Sequence, residues 1–300
     1  MKKSILVALA AIAVATTTAQ ETNYDLRYAT NPVDFKSYDT ERLRDEYLIQ
    51  DLFVNNETNM VYTMHDRMLV GGVKPVDKAL KLETIDPLKA EYFLERREIG
   101  IINVGGEGTI YVDGKSYKIG YKEALYIGRG AKEVIFESAK SDNPALFYFN
   151  SCTAHASYPT KFITKKSANA VLRLGSMEES NAREVIQYIV SGNVKTCQLQ
   201  MGMTELKSGS VWNTMPTHVH NRRMEVYMYF ELPENQSICH FVGEPQETRA
   251  IWMHNLEATI SPEWSIHGAA GTSNYTFIWG MAGENLDYSD MEKVAAKDLQ

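Results

Sequence analysis

Short strand-forming runs separated by glycine-rich turns are the feature of this sequence that most restricts its fold. Between Tyr92 and Tyr148, apolar and β-branched runs recur at intervals of roughly ten residues and end at pairs such as Gly105-Gly106. The strongest hairpin signal is Asp113-Gly114, because this pair suits the tight turn between two antiparallel strands. Similar runs resume after Thr196. The spacing predicts an all-β protein built as an antiparallel sandwich or barrel.

The two halves of the chain repeat the same order of elements. Residues 94–99 (LERREI) resemble residues 221–226 (NRRMEV), and an aromatic strand closes each half. This predicts a duplicated β-barrel, with the first barrel at residues 59–155 and the second at residues 196–300. Residues 20–58 form an N-terminal segment in this interpretation, and residues 156–195 form a connector.

Helical patterns are few. Asp39 or Thr40 can cap a short helix that runs to about Tyr47, whereas residues 20–37 have an irregular pattern. The stretch from Ser180 to Val190 fits either a short helix or a strand. We therefore expect short helices only in the N-terminal segment and the connector.

The first nineteen residues have the pattern of an export signal. Lys2 and Lys3 precede an apolar run over residues 5–15, and small residues lead to a cut after Ala19. An amphipathic helix is the alternative, but the run has no polar stripe. We predict a signal peptide over residues 1–19 and a mature chain in the periplasm or outside the cell.

Composition restricts the partners of the mature chain. The formal net charge is −7 without a sustained basic block, so nucleic acid is not an expected partner. After residue 20 no apolar run is long enough to span a membrane. Three widely spaced cysteines do not form a disulfide scaffold.

The strongest chemical signal is His218-Val219-His220, followed by Glu225. On an extended strand, residues i and i+2 point to the same face, so both imidazoles can face one ion. Imidazole and carboxylate together suit zinc, iron, manganese or nickel rather than calcium. Solvent-exposed histidines beside an ordinary surface glutamate are the competing interpretation. The first half has no paired histidines upstream of Glu98, so we expect one metal site, in the second barrel.

A second motif supplies a further histidine. Pro262-Glu263-Trp264-Ser265-Ile266-His267 lies downstream, and the two motifs together resemble the metal-binding motifs of the cupin superfamily. That resemblance implies two jelly-roll barrels, a bicupin, with His218, His220, Glu225 and His267 as the metal ligands.

The resemblance narrows to the family of 5-keto-4-deoxyuronate isomerases, also called 4-deoxy-L-threo-5-hexosulose-uronate ketol-isomerases. It extends from about residue 30 to the last residue. The stretches that carry it include residues 93–98 (FLERRE), 158–161 (YPTK), 212–216 (WNTMP), 222–227 (RRMEVY), 243–249 (GEPQETR) and 277–281 (FIWGM). The family implies a zinc-binding bicupin with one divalent metal per chain, usually a homohexamer, that acts on a sugar acid in pectin and uronate breakdown. Its members are usually cytoplasmic, which differs from the export signal of this chain.

The implied reaction converts 5-dehydro-4-deoxy-D-glucuronate into 3-deoxy-D-glycero-2,5-hexodiulosonate through a metal-stabilised enediol(ate). It needs one group that carries a proton between adjacent carbons. Spacing does not identify that group, and Glu244, Glu247 and Tyr227 are candidates. For the substrate carboxylate we predict Arg223, chosen over its neighbours Arg222 and Arg249.

The remaining histidines between the motifs, His240 and His254, are expected to be structural or surface residues. Two other functions are compatible with these residues. The chain could be a metal-retaining bicupin that binds uronates without turnover, or a cupin dioxygenase that uses ferrous iron.

Overall fold

A computed structural model describes residues 22–300, and within this range the regular structure is mostly β-strand. The predicted signal peptide lies outside the described residues. Two short α-helices occur, α1 (Pro32–Phe35) and α2 (Thr40–Tyr47), with 3₁₀ turns at Asp86–Leu88, Lys165–Ser167 and Ala296–Asp298. In the first half the strands are β1 (Thr22–Arg27), β2 (Leu48–Ile49), β3 (Thr58–Thr63), β4 (Leu69–Val73), β5 (Leu80–Lys81), β6 (Arg97–Asn103), β7 (Gly108–Val112), β8 (Lys115–Ile119), β9 (Ala124–Ile127), β10 (Val134–Ser138), β11 (Phe147–Thr153) and β12 (Lys161–Ile163). In the second half they are β13 (Ala170–Leu174), β14 (Arg183–Ile189), β15 (Gln200–Leu206), β16 (Trp212–Asn213), β17 (His218–Val219), β18 (Arg223–Phe230), β19 (Ile238–Glu244), β20 (Glu247–Met253), β21 (Ala258–Ser261), β22 (Gly268–Gly271), β23 (Thr276–Gly283) and β24 (Glu292–Lys293).

The first barrel consists of a seven-stranded and a four-stranded sheet. The larger sheet has the order β1-β3-β4-β11-β6-β9-β12, and the smaller has the order β5-β10-β7-β8. Their facing side chains form one apolar core, in which Ile99 and Phe149 of the larger sheet share a cluster with Ile110 and Phe136 of the smaller.

The second barrel repeats this arrangement. Its larger sheet has the order β13-β14-β15-β23-β18-β21-β2, and its smaller sheet has the order β16-β22-β19-β20. A separate ribbon pairs β17 with β24. The predicted all-β fold of two barrels is confirmed. Each barrel consists of one seven-stranded sheet and one four-stranded sheet.

The two barrels pack through the outer faces of their seven-stranded sheets. One apolar cluster contains Ile102 and Tyr148 from the first barrel together with Val226 and Met228 from the second. The sheets approach so closely at Gly280 that an added Cβ would lie 2.1 Å from Oδ1 of Asn150. The contact leaves the interior of the second barrel free to carry polar groups.

The N-terminal segment contains the helix that the sequence predicted, but also a strand that it did not predict. The predicted helix is present as α2, where the Asp39 carboxylate accepts a hydrogen bond from the Arg42 amide at 2.9 Å. The irregular pattern expected over residues 20–37 is wrong, because β1 adds to the first barrel in parallel with β3. Strand β2 instead pairs with β21 of the second barrel, so the N-terminal segment contacts both halves.

The predicted connector also contributes to both sheets. Strand β12 pairs with β9 of the first barrel, whereas β13 and β14 form an edge of the second. The ambiguous stretch from Ser180 to Val190 therefore contains a strand, and the only helical turn between residues 156 and 195 is the 3₁₀ turn Lys165–Ser167. Among residues 22–300 there is no helix with the length and apolar character needed to cross a membrane.

Candidate metal centre

Three neighbouring segments of the second barrel carry the predicted ligands. His218 begins β17, His220 follows that strand, and Glu225 lies on β18. His267 immediately precedes β22 on the smaller sheet. Because side chains alternate along a strand, Arg223, Glu225, Tyr227 and Tyr229 share one face of β18, the face opposite the apolar residues that contact the first barrel.

The four predicted ligands converge. One donor atom from each of His218, His220, Glu225 and His267 lies within 4.8 Å of all the others. The Nε2 atoms of His218 and His220 are 3.1 Å apart, and those of His218 and His267 are 3.0 Å apart. Oε2 of Glu225 lies 2.8 Å from Nε2 of His267. All four side chains are buried, so no bulk water separates their donor atoms.

Hydrogen bonding and electrostatics prepare these donors for a cation. Nδ1 of His220 lies 2.6 Å from the carbonyl oxygen of Asp290, so this nitrogen donates and leaves a lone pair on Nε2. Burial, followed by the neighbouring imidazoles of His267 and His220, lowers the pKa of His218 to about 3. Burial alone would raise the pKa of Glu225, but the adjacent His267 and His220 hold it well below its usual range. A neutral imidazole at His218 and an ionised carboxylate at Glu225 are protonation states that bind metal, and the four residues could hold a divalent ion.

A strap over residues 284–293 covers the outer side of this centre. Strand β24 within it pairs with β17, so that Lys293 lies opposite His218. The buried guanidinium of Arg223 donates to the carbonyl oxygens of Asp287 at 2.5 Å and Asp290 at 3.1 Å. Arg223 thus fixes the same carbonyl that orients His220. Its predicted role as the ligand of the substrate carboxylate stays a prediction. Its Nη1 and Nη2 atoms have these backbone partners, whereas its buried Nε has no hydrogen-bond partner among the described residues.

The other residues singled out in the sequence lie in different places. Arg222 is more exposed than Arg223 and lies 3.5 Å from Oδ1 of Asp290, so of these two neighbours Arg223 is the buried one. Glu244 lies 3.5 Å from the Lys36 ammonium, and Glu247 pairs with Arg249 at 2.9 Å. Glu244, Glu247 and Arg249 surround the turn between β19 and β20 and do not line the cavity at the metal centre.

Neither of the other two histidines belongs to the donor group. His240 is buried deeper in the barrel, where Nδ1 lies 2.7 Å from the Tyr229 hydroxyl. His254 is exposed, and its Nδ1 lies 3.4 Å from the Ser237 hydroxyl.

A cavity of about 290 Å³ opens from the metal centre. One wall is apolar and includes Leu172, Leu174 and Trp279. The indole of Trp279 lies over Gly202, where an added Cβ would be 2.2 Å from the ring, so the glycine makes room for this wall. Among the described residues that line the cavity, Glu225 is the only carboxylate.

The polar wall of the cavity contains Tyr227, which the sequence analysis singled out, and two residues that it did not, Arg183 and Tyr288. Tyr227, one of the candidates for the proton-transfer group, lines the cavity, and its hydroxyl lies 2.8 Å from Oγ1 of Thr214. Arg183 and Tyr288 also line it but were missed. Arg183 lies in the stretch whose secondary structure was ambiguous, and Tyr288 lies in the irregular strap, so neither had a strand pattern that would place it.

Comparisons with known proteins identify the family and the fold of this chain. A family model described as the KduI/IolB family matches residues 48–297. The 4-deoxy-L-threo-5-hexosulose-uronate ketol-isomerase of Formosa agariphila is 59% identical over 93% of this chain and 99% of its own length. The ketol-isomerase 1 of the same name from Bacteroides thetaiotaomicron is 58% identical over 93% of this chain and 100% of its own length. An IolB-like protein from Salmonella typhimurium LT2 has the same fold, with a TM-score of 0.61 and 14% identity over 77% of this chain and 89% of its own.

Proposed function

The chain belongs to the KduI/IolB family, and on that premise we propose that it converts 5-dehydro-4-deoxy-D-glucuronate into 3-deoxy-D-glycero-2,5-hexodiulosonate. The observation that carries the proposal is the buried group of three imidazoles and one carboxylate at the end of a small cavity. Relatives at 58–59% identity that span most of the chain are named for a ketol isomerisation of this kind of sugar acid.

The reaction exchanges the oxidation levels of two adjacent carbons without an external oxidant or reductant. Two protons move in the net reaction. One passes from the neighbouring carbon to the aldehyde carbon, and the other passes from the hydroxyl oxygen of that neighbour to the aldehyde oxygen. The aldehyde thereby becomes a hydroxymethyl group and its neighbour becomes a ketone. The intermediate between them is an enediol(ate), whose negative charge must be stabilised. His218, His220, Glu225 and His267 would hold the divalent ion, which supplies Lewis-acid stabilisation of that charge.

The residues around the donor group have defined tasks in this proposal. The buried indole of Trp279, with the partly exposed Leu172 and Leu174 beside it, limits the access of water to the reacting carbons. Burial, and then the charge of Glu225, raises the pKa of Tyr227 well above its ordinary value, so the phenol keeps its proton. Tyr227 therefore serves as a hydrogen-bond donor to a substrate oxygen, together with the Thr214 hydroxyl 2.8 Å away.

We propose zinc as the ion, because three imidazoles and a carboxylate form a ligand set that zinc accepts readily. The expected content is one zinc ion per chain, measured by elemental analysis of protein purified without added metal. A chain that carries mainly iron would instead support the ferrous dioxygenase.

The activity is tested on the products of an unsaturated-uronate lyase, with isomer formation followed by chromatography and NMR. Isomer should form, disappear after chelation and return when zinc is added. The His267→Ala variant should lose both metal and activity, whereas His254→Ala, which changes an exposed histidine outside the donor group, should retain both. Binding of the sugar acid without turnover by the metal-loaded protein would contradict the proposal, and oxygen uptake would replace it with a dioxygenase.

A further inference from the structure

Arg183 lies at the start of β14, on the side of the cavity formed by the edge strands of the second barrel. It pairs with Leu174 of β13 on one side and with Leu206 of β15 on the other. Leu174 and Arg183 line the same cavity as His218, His220 and Glu225. A cation therefore lines the same cavity as the candidate metal centre.

The guanidinium of Arg183 is held in place by two hydrogen bonds, which occupy only some of its N–H groups. Nη1 donates to the carbonyl oxygen of Asn181 at 2.9 Å, and Nη2 donates to that of Met215 at 3.4 Å. A guanidinium has five N–H groups, so these two bonds leave donors available. No carboxylate of the described residues forms an ion pair with Arg183 within 4.0 Å. Burial lowers the pKa of Arg183, as expected for a partly desolvated cation that lacks a counter-ion.

The other two cations at the cavity are less suited to bind an anion within it. Arg223 is 1% exposed and donates to three carbonyl oxygens of the strap, those of Asp287, Tyr288 and Asp290. Lys293 lies on an exposed strand at the rim. A lysine offers one compact charge on a flexible stem, whereas an arginine presents two parallel N–H groups that match a carboxylate.

A short chain of contacts connects Arg183 to the metal centre. Its Nη2 contacts the carbonyl of Met215, and the carbonyl of the next residue, Pro216, lies 3.4 Å from Nδ1 of His218. The guanidinium and the first metal ligand are thus held by the same loop. A substrate that spans the cavity can contact both ends at once.

We infer that Arg183, rather than Arg223, binds the carboxylate of the substrate, through paired N–H···O bonds. The inference rests on the proposed function, in which the substrate carries a carboxylate at one end and its reacting carbonyl at the other. The carboxylate at Arg183 directs the aldehyde and its neighbouring hydroxyl toward the four ligands. Selectivity for uronates over neutral sugars then comes from this one guanidinium.

The experiment compares Arg183→Met and Arg183→Lys with the wild-type protein. Binding of glucuronate and of its neutral carboxamide, glucuronamide, is measured by calorimetry on metal-loaded protein, and KM and kcat are measured on the lyase product. Arg173→Met is the matched control, because Arg173 is the neighbour of Leu174 on β13 and its side chain is 85% exposed. Metal content and the unfolding midpoint establish that each variant is folded and loaded.

The wild-type protein and Arg173→Met should bind glucuronate more tightly than glucuronamide. Arg183→Met should weaken glucuronate binding and raise KM roughly ten- to hundredfold, the range of a charge-assisted pair, and leave glucuronamide binding unchanged. Arg183→Lys should lie between them, since it keeps the charge but loses the paired geometry. If the metal-loaded Arg183 variants keep the wild-type preference for glucuronate, or if the wild-type protein has no such preference, the inference is wrong.

The same measurements distinguish failure of the proposed isomerase function from failure of the inference about Arg183. A wild-type protein that binds glucuronate through Arg183 but forms no isomer would refute the isomerase and leave the carboxylate site intact. Isomer formation with an unchanged KM in Arg183→Met would refute the carboxylate site alone.

Discussion

Glu98 of the first barrel is the sequence counterpart of Glu225, and its removal should destabilise the protein without affecting metal binding. Glu98 is fully buried. Its Oε1 accepts the backbone N–H groups of Cys197, Gln198 and Leu199 at 3.0, 2.8 and 2.9 Å, and its Oε2 accepts the Tyr126 hydroxyl at 2.7 Å. The carboxylate thus holds the segment that leads from the connector into β15.

The expected effect of Glu98→Ala follows from these four donors. A hydrogen bond to a charged group contributes about 1.5–3 kcal/mol, and a simple sum would be about 6–12 kcal/mol. Water that enters the space left by the side chain satisfies part of the exposed N–H groups, and such bonds are not additive. We therefore expect the free energy of unfolding to fall by about 3–5 kcal/mol, a large effect for one residue.

Urea unfolding followed by tryptophan fluorescence measures this change, with Glu137→Ala as the matched control. Glu137 belongs to the same barrel and also accepts a tyrosine hydroxyl, that of Tyr111 at 2.8 Å, but it is exposed. The control should change stability by less than about 0.5 kcal/mol. Metal content should be unchanged in both variants. A Glu98→Ala protein within about 1 kcal/mol of this control would refute the reasoning, and lost metal would mean that the first barrel contributes to the centre.

Four further predictions concern the second barrel and the whole chain. Arg223→Met should lower metal affinity about 10- to 100-fold, because the carbonyl that orients His220 loses its anchor, whereas Arg222→Met should not; competition with a zinc chelator measures both. Tyr227→Phe should lower kcat about tenfold or more with metal content unchanged, measured by steady-state kinetics. If residues 1–19 are an export signal, the exported chain should begin at Gln20 by N-terminal sequencing of a periplasmic or secreted fraction. Light scattering should give a hexamer, the assembly implied by the family resemblance.

The parts of the fold that were predicted correctly have a recognisable residue pattern within a short stretch of sequence. The two-residue period of strands places His218 and His220 on one side, and the hydrophobic runs around Glu225 identify β18. The hairpin at Asp113-Gly114 is also present, between β7 and β8. In each case the residues that define the structure are close in sequence, so a pattern over a few residues is sufficient.

The missed parts depend on contacts between distant segments. Strand β1 forms only because β3 provides a parallel partner, and six exposed or half-buried residues give it no apolar alternation. Arg183 becomes a cavity residue only when β14 is placed between β13 and β15. The strap over residues 284–293 has no regular pattern, and Arg223 holds it through backbone carbonyls that carry no side-chain signature.

The comparison of Glu98 with Glu225 explains why the duplicated barrel has two different buried carboxylates. Each lies in the corresponding strand, β6 or β18, but the groups that face them differ. Glu225 faces the imidazoles of His220 and His267, and together with His218 these residues could hold a cation. Glu98 faces backbone N–H groups and a phenol, which satisfy the carboxylate directly. A buried carboxylate therefore has strong local partners. The identity of these partners decides whether the carboxylate can bind a metal, as in the second barrel, or holds the segment at residues 197–199, as in the first.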